Sequence, residues 1–152
     1  MGRNLSRARV RDHAAVTSLV PTRRNTMNLR VAPWRYTLVQ REFGPRRLIV
    51  MFADRDGRLR GLIHTERTHP PEVALTRCLD RFRRRAVAAV AYCDEPVTAG
   101  PRPDGLDQRF ARASELCASR GLHLVDWYAC DDILIRSLRG SLEDDGGWWP
   151  FP

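Results

Sequence analysis

The run Ala86-Val87-Ala88-Ala89-Val90-Ala91 is apolar at every position. Too short for a helix of ordinary length, it reads as a strand, and a strand with no polar side has to be covered on both faces. That requirement makes it the centre of a mixed α/β domain, with the rest of the chain supplying the cover.

On its amino-terminal side the hydrophobic period is two. Tyr36, Leu38 and Gln40 alternate with Thr37, Val39 and Arg41, Gly44-Pro45 breaks the chain, and Leu48 to Ala53 resumes as a second strand. Asp54-Arg55-Asp56-Gly57 supplies the positive-φ position of a hairpin turn, and Leu59 to Thr65 returns, so the first half reads as an antiparallel meander. Pro70 and Pro71 open a helix in which Leu75, Cys78, Leu79 and Phe82 recur at i, i+3, i+4 and i+7. Arg77, Arg81, Arg84 and Arg85 mark its outer face, read as solvated, with a polyanion-binding surface as the alternative.

A Pro/Gly-rich loop runs from Glu95 to Pro103. Asp104 is then expected to cap a second helix carrying Leu106, Phe110, Ala113 and Cys117 on one face and closing at Arg120-Gly121. Leu122 to Tyr128 and Ile133 to Leu138 form a closing strand pair around Asp131-Asp132. Turn formation accounts for the acidic cluster of Asp126, Asp131 and Asp132.

Charge divides the 152 residues unevenly. All 26 cationic residues are arginine, and residues 1 to 36 hold eight of them against Asp12 alone, while the remainder is close to neutral. The organisation that follows is a basic, flexible arm over 1–33, a folded domain over 34–140 and an acidic, aromatic tail over 141–152. Arg3, Arg7, Arg9, Arg11, Arg23 and Arg24 are the candidate nucleic-acid contacts, since clustered guanidiniums neutralise phosphates; Met27 stands as an alternative start. In the tail, Leu142-Glu143-Asp144-Asp145 precedes Trp148, Trp149 and Phe151, a composition suited to docking on a protein partner and equally to folding back on its own domain. It is similar to the acidic, Pro-Phe-ended tails of bacterial single-stranded DNA-binding proteins.

No apolar run approaches the roughly 20 residues that span a bilayer, and the basic start lacks the apolar core of a signal peptide, so a cytoplasmic protein without membrane contact is expected. Cys78, Cys93, Cys117 and Cys130 are scattered singly and read as buried free thiols.

The order of strands and helices, together with two flanking motifs, resembles the JAB/MPN domain of RadC-type bacterial proteins. His69-Pro70-Pro71-Glu72-Val73 is similar to the family's His-Pro-Arg-Glu-Val, and Gly121-Leu122-His123-Leu124-Val125-Asp126 with Ala129-Cys130-Asp131 is similar to its Gly-Ile-x-Leu-Leu-Asp-His and Val-Gly-Asp segments. The resemblance implies a cytidine-deaminase-like three-layer fold, with a mixed sheet and two main helices. It also implies a DNA-repair context.

Active members are zinc hydrolases that hold the metal with His-x-His and an aspartate, an upstream glutamate activating the bound water. Here those positions fall on Tyr92, Asp94 and Asp107, with Glu95 at the family's proline and Asp104 at its serine. A phenol and two carboxylates cannot replace two imidazoles for zinc; they make a hard oxygen set. Asp107 also suits the positive end of its helix. The expectation is a catalytically inactive binding module with no cofactor. The alternative is a hydrolase with a non-standard site, using either a displaced metal at Asp94 and Asp107 or Cys93 as nucleophile with His69 or His64 as base. Glu66 falls near the water-activating glutamate.

Overall fold

The computed structural model describes residues 28–30, 43–140 and 149–152. They form a mixed α+β domain in the order β1 (Arg47–Ala53), β2 (Leu59–Glu66), α1 (Pro71–Arg81), β3 (Ala88–Asp94), α2 (Leu106–Ala118), β4 (His123–Cys130) and β5 (Ile135–Ser137). Among the described residues the sheet has five strands, ordered β2-β1-β3-β4-β5. β3 pairs antiparallel with β1 and parallel with β4, the crossover being made by α2. The strand expected over Tyr36 to Arg41 lies outside the described residues.

β3 starts later and runs further than the apolar run suggested, to Asp94, and its residues 88 to 93 are all buried. Ala89, Ala91 and Cys93 face one core, where they meet Ala74, Leu75 and Cys78 of α1 and Ala113 and Cys117 of α2. Ala88, Val90 and Tyr92 face a second core with Leu29, Leu62 and Tyr128. Alanine on the helix side lets both helices sit close to the sheet. Both helices pack on that one face. The other is covered by Leu29, Phe43, Trp149 and Phe151. The three-layer expectation is therefore met by two layers and irregular cover among the described residues.

Two boundaries depart from expectation for visible reasons. Asp104 does not cap α2; the cap position is Gly105 at φ 84°, a left-handed conformation that an aspartate would adopt at a cost. α1 ends at Arg81 because Phe82 turns extended and stacks on Phe52, ring centroids 3.9 Å apart. At the far end of α2, Leu122 N–H bonds the Cys117 carbonyl and Gly121 N–H that of Ala118, both at 3.0 Å, the pattern that closes a helix through a left-handed residue.

Asp126 is buried on β4, beside a shift in register. It accepts from Trp127 N–H at 2.7 Å, Ser137 Oγ at 2.5 Å and Arg139 N–H at 3.2 Å. Burial raises its pKa, and those bonds only partly offset the shift. Asp131 organises the next turn by accepting from the N–H groups of Ile133 and Leu134.

The segment read as the end of a flexible arm is docked where it is described. Leu29 is fully buried, its N–H bonds the Gly57 carbonyl at 2.7 Å, and Asn28 bridges Arg58. Gly57 sits at φ 83°, and a Cβ there would come within 2.5 Å of Asn28 Oδ1, so the turn is shaped to receive this segment. Leu29→Ala is expected to destabilise the fold by about 3 kcal/mol through the cavity it leaves. Urea unfolding measures this, and an unchanged midpoint would show that the segment does not hold the domain.

Candidate functional site

In sheets with parallel strands, chemistry gathers where strands end and the crossover helix begins. Here that place is the carboxyl end of β3, facing the first turns of α1 and α2.

The side chains on the helix side of this edge are Cys93 and Glu95. Glu95 continues the ladder past β3, its N–H bonding the Cys130 carbonyl at 3.0 Å. Its two carboxylate oxygens take Arg109 Nη1 and Nη2 of α2 at 2.5 and 2.6 Å, a bidentate pair with side chains only 19% and 17% exposed. The Arg109 guanidinium lies 4.9 Å from the centre of the Trp127 ring. One turn on, Arg112 Nε bonds Glu72 Oε1 of α1 at 2.8 Å, tying the two helices across the site.

The electrostatics follow from burial and pairing. Burial pushes the Cys93 thiol well above its ordinary pKa, and the adjacent Glu95 carboxylate adds to the shift. Burial works against the Arg109 cation, but Glu95, with Glu72 behind it, more than restores it. Burial alone would raise Glu72; the bond from Arg112 brings it below the usual value. Glu72 Oε2, Arg109 Nε and Trp127 Nε1 are buried without a hydrogen-bond partner among the described residues.

The residues singled out from the sequence do not converge here. Tyr92 is buried on the opposite face of the sheet, its ring 5.4 Å from that of Tyr128. Asp94, on the Tyr92 side by the alternation of the strand, accepts from the Arg46 N–H, and its carbonyl accepts from Arg67 Nη1 at 2.5 Å. Asp107 is 89% exposed at the start of α2 and bonds Arg102 at 2.8 Å, while Arg102 also donates to the Ser137 and Leu138 carbonyls. Tyr92, Asp94 and Asp107 thus occupy three separate environments. Among the described residues no group of three or more His, Cys, Asp or Glu side chains is arranged to hold a metal ion.

The nucleophile reading also loses its geometry. His64 lies on the Tyr92 side, its ring 4.4 Å from Phe43, whereas Cys93 faces the helices; His69 is exposed before α1 and Glu66 is exposed at the end of β2. A thiol with a raised pKa, no histidine beside it and its neighbouring carboxylate held by Arg109 is a poor nucleophile.

Arg3, Arg7, Arg9, Arg11, Arg23, Arg24 and Trp148 lie outside the described residues. Trp149 and Phe151 fold back on their own domain: Trp149 Nε1 donates to the Arg55 carbonyl at 3.0 Å, and Phe151 meets the Trp149 and His123 rings and the Arg55 guanidinium. Sequence reasoning missed Glu95, Arg109 and Trp127. The available signal was period two: Ala89 and Ala91, set against helices, carry the same face on to Cys93 and Glu95.

No family model, curated protein or solved structure matches this chain. Among the described residues no helix is long and apolar enough to cross a membrane.

Two outcomes test this geometry. Arg109→Met is expected to destabilise the domain by about 3 kcal/mol by stranding the Glu95 carboxylate, with Glu95→Gln/Arg109→Met recovering much of the loss. A thermal melt of these two variants and of Glu95→Gln separates a coupled pair from two independent side chains. All four cysteines are buried, and burial pushes Cys78, Cys117 and Cys130 up to about 12. A disulfide-exchange reagent at pH 8 should therefore label none of them in the native protein and all of them in urea. Fast native labelling of Cys93 would restore the nucleophile reading.

Proposed function

We propose that this chain is a catalytically inactive JAB/MPN-like module of the RadC type, acting by binding, with nucleic acid as its partner through the amino-terminal arginines. The observation that carries the inactive part is the Glu95-Arg109 pair at the carboxyl end of β3. For an aspartate on α2 to share a metal with two residues of the strand, those residues must face the helices, and here the residues that do so are Cys93 and Glu95. The family's His-x-His-Pro then reads Cys93-Asp94-Glu95-Pro96, proline on proline, one residue along from the register that places Tyr92 and Asp94 at the ligands.

The residues present do not fit zinc. The Cys93 thiol is held protonated, both oxygens of Glu95 are occupied by a guanidinium, and Asp107 is turned outward to Arg102. Arg109 instead supplies a fixed positive charge among Cys93, Glu95 and Glu72, so the corner is neutralised by a side chain that can neither accept a lone pair from a substrate nor lower the pKa of a water. The reading of a displaced metal at Asp94 and Asp107 would need those carboxylates to leave Arg46 and Arg102 and meet.

The binding part rests on charge. Eight arginines against one acid in residues 1 to 36 form an electrostatic footprint for phosphates. Purified protein is expected to carry no stoichiometric zinc and no peptidase or isopeptidase activity; stoichiometric zinc with activity lost in Asp107→Ala would overturn the inactive reading. In a salt titration against DNA and RNA, the full chain should bind about tenfold more tightly at low salt than a chain beginning at Met27. Equal affinities would remove the arm from the account.

A further inference from the structure

We infer that the folded body carries its own phosphate-binding cleft, formed where the end of α1, the β1–β2 turn and the end of α2 meet, with Arg83, Arg84 and Arg85 as its anion-binding rim. The cleft has a volume of about 940 Å³, the size of sites that take a mononucleotide or a short piece of strand. It rests on the nucleic-acid reading above only for the identity of the physiological ligand; the geometry stands by itself.

The sequence pattern puts Arg84 and Arg85 on the outer face of α1, in water. The structure does otherwise. Because Phe82 leaves the helix to stack on Phe52, the three arginines that follow lie past the helix end and line the cleft. Of the charged residues that line it, Asp54 is taken by Arg60 at 2.9 Å and Asp80 by Arg120 at 2.6 Å. That leaves Arg83, Arg84 and Arg85 without a carboxylate among the described residues. All three are exposed, and the contact of Arg84 Nη1 with the Arg60 carbonyl, at 3.5 Å, is a weak one.

Three adjacent guanidiniums repel one another unless an anion sits among them, and their planar forks match phosphate oxygens two at a time. Leu79, Phe82, Val87 and Leu122 complete the lining. Guanidiniums beside the partly exposed Phe82 and Val87 side chains suit a phosphate ester bearing a flat, weakly polar group, which is the chemistry of a nucleotide. A free nucleoside triphosphate and a single strand present the same groups.

The test uses the full chain. Binding of a labelled single-stranded 20-nucleotide RNA and its DNA equivalent is followed by fluorescence anisotropy across a salt series, with ATP and inorganic tripolyphosphate as competitors. Arg83→Gln/Arg85→Gln is compared with Arg77→Gln/Arg81→Gln, which removes the same charge from the exposed side of α1, and with a variant in which the six arginines from Arg3 to Arg24 are glutamine. The altered side chains in both pairs are exposed, so melting temperatures should match the parent.

The cleft pair is expected to lose about tenfold in affinity and to flatten the salt dependence by about 1.4, while the control pair changes less than about twofold. Competition by ATP at comparable concentration assigns the cleft to free nucleotides, and resistance to it assigns the cleft to strands; either outcome supports phosphate binding. Equal effects of the cleft and control pairs would overturn the cleft, and if the arm variant alone then lost binding, the arm reading would stand without it. Loss in the cleft pair with no effect of the arm variant would uphold the cleft and remove the arm. No binding by the parent protein would remove both.

Discussion

The two-sided burial of β3 is the constraint on which the rest of the domain depends. Apart from Tyr92, the side chains of β3 are small and contribute little surface of their own, so its stability comes largely from what closes over it. On one side that is a pair of helices; on the other it is Leu29, Phe43 and the tail aromatics packed around larger sheet residues. The parallel partnership with β4 then forces a crossover, and α2 is that crossover, which brings Arg109 to the end of the strand. The corner that would hold chemistry is thus a direct product of how the central strand is covered.

Much of the architecture was legible because local signals agreed with tertiary need. Phe52, Ile63 and Leu75 fall where period two and period 3.6 put them, and Gly57 and Gly121 sit in left-handed turns. What failed were boundaries decided by a single long-range contact. No local pattern announces that Phe82 will abandon a helical period to stack on Phe52, or that Gly105 will stand where Asp104 was the better cap by propensity.

The candidate site was less legible for a more specific reason. A slip of one residue along a strand moves every side chain to the other face. Tyr92 and Asp94, singled out from the sequence, lie against Tyr128 and Arg46, away from both helices, while the alternate face of the same strand carries the Glu95-Arg109 pair. A buried ion pair of this kind is weak as a source of stability, since desolvation consumes much of the attraction, but removing either partner is costly. It fixes α2 against the sheet edge at one register, and with Arg112 and Glu72 it fixes α1 as well.

The β1–β2 turn holds more than a hairpin. Asn28 and Leu29 fasten to its Arg58 and Gly57, and Trp149 and Phe151 fasten to its Arg55. Segments separated by more than a hundred residues therefore share one latch. Opening these few residues would unseat both segments together and uncover part of the far face of the sheet, which couples Leu29 to Trp149 and Phe151 through one turn.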